Sequence, residues 1–158
     1  MLFSQSVEIV RPANTTAYAA NDVIGPVSGS SLITFEMPSD RVVIIGANVY
    51  SDAAWEPTAA QLHLVTSSTY APGADNAALT VPVYADGLVC AIQLSPDIDT
   101  KSLTGIPLNT GVITGFPVPV TLTSHRIYGA LRTPSGFTPT SGQKFRVSLF
   151  VDYQEMSR

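Results

Sequence analysis

The segment from Lys144 to Tyr153 alternates between two kinds of side chain. Phe145, Val147, Leu149, Val151 and Tyr153 form one face, and Lys144, Arg146, Ser148, Phe150 and Asp152 form the other. A period of two marks a strand with one face in a core and one in water, and Phe150 is the apolar exception on the polar side. Comparable runs rich in Val, Ile, Thr, Phe and Tyr occur at residues 7–10, 33–37, 41–50, 61–66, 81–84, 88–94, 118–123 and 126–132, with weaker ones near 17–24 and 103–113. No stretch of a dozen residues keeps helical apolar spacing between caps, and only residues 53–61 could hold a single helical turn. Twelve prolines and eleven glycines fall between the runs instead of gathering into a linker, so no domain boundary is visible.

At 158 residues the chain has room for one core. The pattern predicts a single all-β domain over residues 1–158, an antiparallel β-sandwich, jelly-roll-like, with about eight to ten strands and almost no helix. Its core is expected to hold Ile33, Phe35, Val43, Ile45, Leu62, Leu64, Cys90, Ile92, Val147, Leu149 and Val151, each from the apolar face of its run. Residues 41–45 are apolar on both faces, which predicts a central strand covered on two sides and pressed against a partner chain. Charged residues make up 13% of the chain, about half the usual share, and this too predicts a homo-oligomer.

The net charge of -4 has the wrong sign for holding phosphate backbones, so no nucleic-acid partner is expected. Cys90, the one cysteine, lies in an apolar run and reads as a small core residue. The first residues lack the basic and apolar regions of an export signal, and no uninterrupted apolar run is long enough to span a bilayer, so the expectation is a protein made in the cytoplasm with no membrane contact. The phosphate-loop, zinc-protease, paired-cysteine and nucleophile-elbow motifs do not occur, and neither an enzyme activity nor a cofactor is expected. His63, opposed to Leu62 and Leu64 on its strand, reads as a solvent-side or interface histidine. Ser124 and His125 would face apart on a strand and meet as nucleophile and base only if the backbone turned there. Asp97 and Asp99 could share a cation but bring too few oxygens for calcium, while Asp75-Asn76 and Asp86-Gly87 read as turns. Trp55, the lone tryptophan, is either a contact anchor or a plug at the end of the sandwich.

Residues 7–25, with an Arg11-Pro12-Ala13-Asn14-Thr15-Thr16-Ala17-Tyr18 run followed by Asp22-Val23-Ile24-Gly25, resemble a group of small virion structural proteins of tailed bacteriophages. Further likeness lies in residues 42–52, 61–64 and 74–79 and in the closing run 144–153. The resemblance implies a capsid decoration or cement protein on the head exterior, trimeric, with the major capsid protein as partner and no catalysis. Such a protein stabilises a shell by binding its assembled form in many copies. Candidate contacts are Leu2 and Phe3, on an N-terminal arm of residues 1–5 with no obvious place in a strand, together with Trp55 and Phe150. The alternative is a tail-associated or receptor-binding module that takes a host glycan, for which Trp55, Tyr50 and Tyr70 would supply aromatic surface. A cell-wall hydrolase would need two converging carboxylates, with Glu8, Glu36, Glu56 and Glu155 available.

Overall fold

The computed structural model describes residues 1–53, 60–96, 102–105, 107–108 and 117–154. These contain eleven strands: β1 (Leu2–Val10), β2 (Val23–Ile24), β3 (Ile33–Glu36), β4 (Arg41–Ser51), β5 (Ala60–Val65), β6 (Leu88–Pro96), β7 (Ser102–Gly105), β8 (Pro107–Leu108), β9 (Val118–Thr121), β10 (Arg126–Arg132) and β11 (Lys144–Tyr153). Eight of the nine clear period-two runs are strands, and the short β2, β7 and β8 fall in the two weaker runs. The ninth run is not a strand. Pro82 removes a ladder donor in its middle, and the chain there runs irregularly into a 3-10 turn at Tyr84–Asp86. That turn ends at Gly87, whose φ of +69° suits glycine and where a Cβ would sit 2.0 Å from Thr66 Oγ1.

All strand pairs are antiparallel, and four of them are nested: β1 with β11, β3 with β10, β4 with β9, and β5 with β6. The chain is therefore one long hairpin of paired strands. It rolls up when β11 also pairs with β4 and β10 with β5, which closes two sheets of order β1-β11-β4-β9 and β3-β10-β5-β6. This is the expected jelly roll. The short β7 lies beside β4 in the first sheet and also pairs with the end of β6, joining the two sheets at that corner.

The inner faces of both sheets form one core that includes Phe35, Ile44, Val49, Leu62, Leu64, Ile92, Ile127, Phe145, Val147 and Leu149. Of the eleven core residues expected, nine are buried, whereas Val43 and Ile45 are half-exposed and Val42 and Ile44 take their place. The cause is a β-bulge. Phe150 pairs with Gly46 but Val151 pairs with Ile44, so Ile45 is an extra residue and the inward parity of β4 changes from even (Val42, Ile44) to odd (Ala47, Val49, Ser51). Extrapolating the odd parity back through the bulge gives the wrong face. The expectation of a strand covered on both sides belongs to β5 and β10 instead. A second cluster of Val23, Val65, Tyr70, Leu79, Tyr128 and Ala130 covers their outer side beneath the β5–β6 connection.

The register fixes a stability test. Ile44→Ala should cost about 2–5 kcal/mol and Val43→Ala less than about 1 kcal/mol in chemical denaturation, because only the first opens a cavity. Equal costs would contradict the bulge.

Candidate interaction surfaces

Leu2 and Phe3 lie within β1, which pairs with β11 over its whole length, so the expected N-terminal arm is an edge strand instead. The arm reading failed because Ser4, Gln5 and Ser6 hide the alternation. Phe3, Gln5, Val7 and Ile9 face inward from a sheet edge, where the inner face is only partly covered. Phe3 packs edge-on against Tyr153 with ring centroids 6.4 Å apart, while Leu2 is 75% exposed on the outer face. Phe150 shares that outer face, half-buried between Ser4 of β1 and Gly46 of β4. Asp152, next along the face, sits between Leu2 and Val43 and takes a 2.6 Å ion pair from the Met1 amino group, which holds its carboxyl below the ordinary range. The structure thus brings Leu2, Val43 and Phe150 onto one apolar-dotted surface with Tyr50 further along β4. Trp55 lies outside the described residues, as do Asp97 and Asp99.

The irregular segment that follows β1 is built around a buried cation. Arg11 follows β1 and is 1% exposed. Its Nε donates to Tyr18 Oη, its guanidinium lies 4.7 Å from the Tyr18 ring centroid, and Nη2 is 3.6 Å from Asp75 Oδ2. The Tyr18 hydroxyl donates to Asp75 Oδ1 at 2.5 Å, and the Gly25 amide donates to the same oxygen at 2.9 Å. On its far side the Tyr18 ring stacks on Phe137 with centroids 4.9 Å apart. Burial, and then the neighbouring Asp75 carboxylate, push the Tyr18 phenol well above its ordinary range, so it stays a donor. Arg11, Tyr18 and Asp75 were not singled out from sequence as a unit. The turn reading of Asp75-Asn76 agrees with φ of +60° at Asn76, but 57 residues separate Asp75 from Tyr18 and nothing local announces the contact.

The histidines are placed differently from one another. His63 is 7% exposed, not solvent-side, because the β5–β6 connection covers that face, and its Nε2 has no partner among the described residues. Desolvation first, and the charge of Arg132 second, lower its pKa to about 4. His125 stands in a left-handed turn at φ +54°, and its Nε2 lies 3.0 Å from Asp40 Oδ1, so it ties the β9–β10 turn to the β3–β4 turn. Its partner is thus a carboxylate and not Ser124. Cys90 is buried as expected, and burial pushes its thiol up to about 12. Among the described residues no three His, Cys, Asp or Glu side chains gather where they could hold a metal. Among the described residues no helix is long and apolar enough to cross a membrane.

One more surface went unnoticed in the sequence. Tyr84, 95% exposed, stands at the mouth of an open groove of about 510 Å³ between the start of β6 (Leu88, Val89) and β9 (Val118 to Thr121). Val81 and Val83 are exposed beside it, and their misassigned strand is what concealed them.

No protein-family model matches this chain. No curated protein matches it either. Among solved structures it is similar to a chain from the single-particle structure of maize chlorotic mottle virus, at 9% identity and a TM-score of 0.25, over 99% of this chain and 95% of that one. A likeness that loose carries no argument about role.

Two outcomes test the buried groups. Asp75→Ala should destabilise the fold by about 3–5 kcal/mol by leaving Arg11 buried without its counter-charge, and Arg11→Met in that background should cost less than it does alone. Additive costs in denaturant titrations would contradict the network. For His63, the folded state resists protonation down to about pH 4 while the unfolded chain takes up its proton near 6.5, so its stability contribution is complete above about 6.5 and is lost as pH falls towards 4. The loss should reach at most about 3 kcal/mol and should disappear from the pH profile of His63→Gln.

Proposed function

We propose that this protein is a structural component of a bacteriophage virion, a decoration or cement protein that binds the outer surface of the assembled head through the major capsid protein. The observation that carries the reading is the outer face of the first sheet. There Leu2, Val43 and Phe150, three apolar side chains on neighbouring strands, face away from the core on a surface that also carries Tyr50, Asp152 and the small or polar Ser4, Ser6 and Asn48. Such a face suits association by area, in which many modest contacts act together. Two further observations support the role: the jelly-roll connectivity, an architecture that recurs in viral capsid domains, and the resemblance of residues 7–25, which here form the clamp around Arg11. Fold alone fixes no function, so the weight rests on the face and the resemblance. The homo-oligomer expected from composition belongs to this reading, and a trimer rests on the resemblance alone.

A ligand that binds the assembled shell and not its free subunits raises shell stability by mass action. Heads carrying the protein should therefore melt at a higher temperature than heads lacking it, with isolated capsid subunits unaffected. The triple change Leu2→Ser, Val43→Ser and Phe150→Ser should weaken head binding at least about tenfold while the domain remains folded. If heads with and without the protein melt together, the decoration reading fails. The tail-associated, glycan-binding alternative then takes its place, with Tyr84 and its groove as the surface to examine.

A further inference from the structure

The pairing of β1 with β11 runs through all nine positions without a shift. Its phase follows from the ends. Met1 and Tyr153 exchange N–H to O bonds at 2.6 and 3.0 Å, and the Arg11 amide donates to the Gln143 carbonyl at 3.1 Å. Odd residues of β1 therefore turn their backbone groups to β11, and even residues turn theirs out of the sheet. The Val10 carbonyl is taken by the Val27 amide at 3.1 Å. The amide and carbonyl groups of Leu2, Ser4, Ser6 and Glu8 have no partner among the described residues. A row of this kind is a template for another strand, and native proteins blunt such edges with lysine, proline or bulges. β1 has none of these, and its single charge is Glu8.

The edge is also complementary to itself. Around Gln5 the sequence reads Phe3-Ser4-Gln5-Ser6-Val7, an apolar–Ser–Gln–Ser–apolar pattern that is nearly the same in both directions. In an antiparallel pair of two copies centred there, Ser4 faces Ser6 of the other chain and Leu2 faces Glu8, which uses every one of the free backbone groups and stops short of the capped Val10. On the inner side Phe3 falls opposite Val7, two half-buried apolar residues that each lack a neighbour on that flank, and Gln5 falls opposite Gln5. Glu8 and its symmetry mate lie about 20 Å apart at opposite ends, so like charges do not meet.

We infer that the outer edge of β1 is the seam of a two-fold dimer, in which the first sheet continues from one copy of the chain into a second through β1–β1 pairing centred on Gln5. This goes beyond the proposed function and holds whether or not the protein sits on a shell. An isologous contact closes at two copies, so the protein in solution is a dimer and not the trimer that the resemblance implies.

The first test is mass. Light scattering at tens of micromolar should give twice the 16.7 kDa of the chain, and a monomer or a trimer would overturn the seam. The second is the edge itself. Ser4→Pro with Ser6→Pro removes two outward donors and none of those bonded to β11, so it should raise the dimer dissociation constant at least about tenfold. A folded variant that dimerises as before would place the contact elsewhere. The third is register and does not depend on the proline variant folding. Facing positions without hydrogen bonds in an antiparallel pair hold their Cα atoms about 4.5 Å apart, within disulfide reach. Gln5→Cys should therefore cross-link the dimer under mild oxidation. Ser4→Cys should not, because its counterpart is Ser6, and the buried Cys90 does not compete. Cross-linking by Ser4→Cys and not Gln5→Cys would refute the centring on Gln5.

Discussion

The rest of the molecule depends on backbone pairing between residues far apart in sequence. β1 needs β11 and β3 needs β10, so each of these two edge strands has its ladder only once segments more than half the chain apart have met. Loop-closure entropy has to be met before these contacts return anything, which makes the inner hairpin of β5 and β6 the cheapest place for order to begin. From that hairpin the nested pairs can add outward, each closing a shorter gap than it would alone. The register along β11 then sets which residues of β1 and β4 face inward, and the one break in that register, at Ile45, decides the chemistry of the outer face.

Connections in such a roll are long, and here they are held by specific polar contacts as well as by packing. Arg11, Tyr18 and Asp75 join the chain after β1 to the β5–β6 connection, and the Gly25 amide binds the same carboxylate. A fully buried guanidinium is a costly choice unless its partners are all in place, so the network favours one arrangement of these loops over many loosely packed ones.

The fold was largely readable because period two survives in most strands, and Lys144–Tyr153 shows it plainly. It failed where something local overrode it. The bulge at Ile45 reversed the parity of Val43, Pro82 broke an apparent strand at residues 81–84, and the polar Ser4, Gln5 and Ser6 hid the first half of β1. The surfaces were less readable. Leu2 and Phe3 stood out as an arm with no obvious place in a strand and Phe150 as an apolar residue on a polar face, and the structure puts Leu2 and Phe150 together on one face while turning Phe3 inward. Burial of His63 and the Arg11–Asp75 pair depend on which loop lies over which sheet, and that information is not held in any short window of sequence.

The central claim is that an apolar-dotted sheet face binds the outside of an assembled head. A sub-nanometre reconstruction of the virion tests it most directly. The account predicts density for this jelly roll on the head exterior, with the face that bears Leu2, Val43 and Phe150 turned toward the shell. Density confined to the tail, or that face turned to solvent on the head, would contradict it.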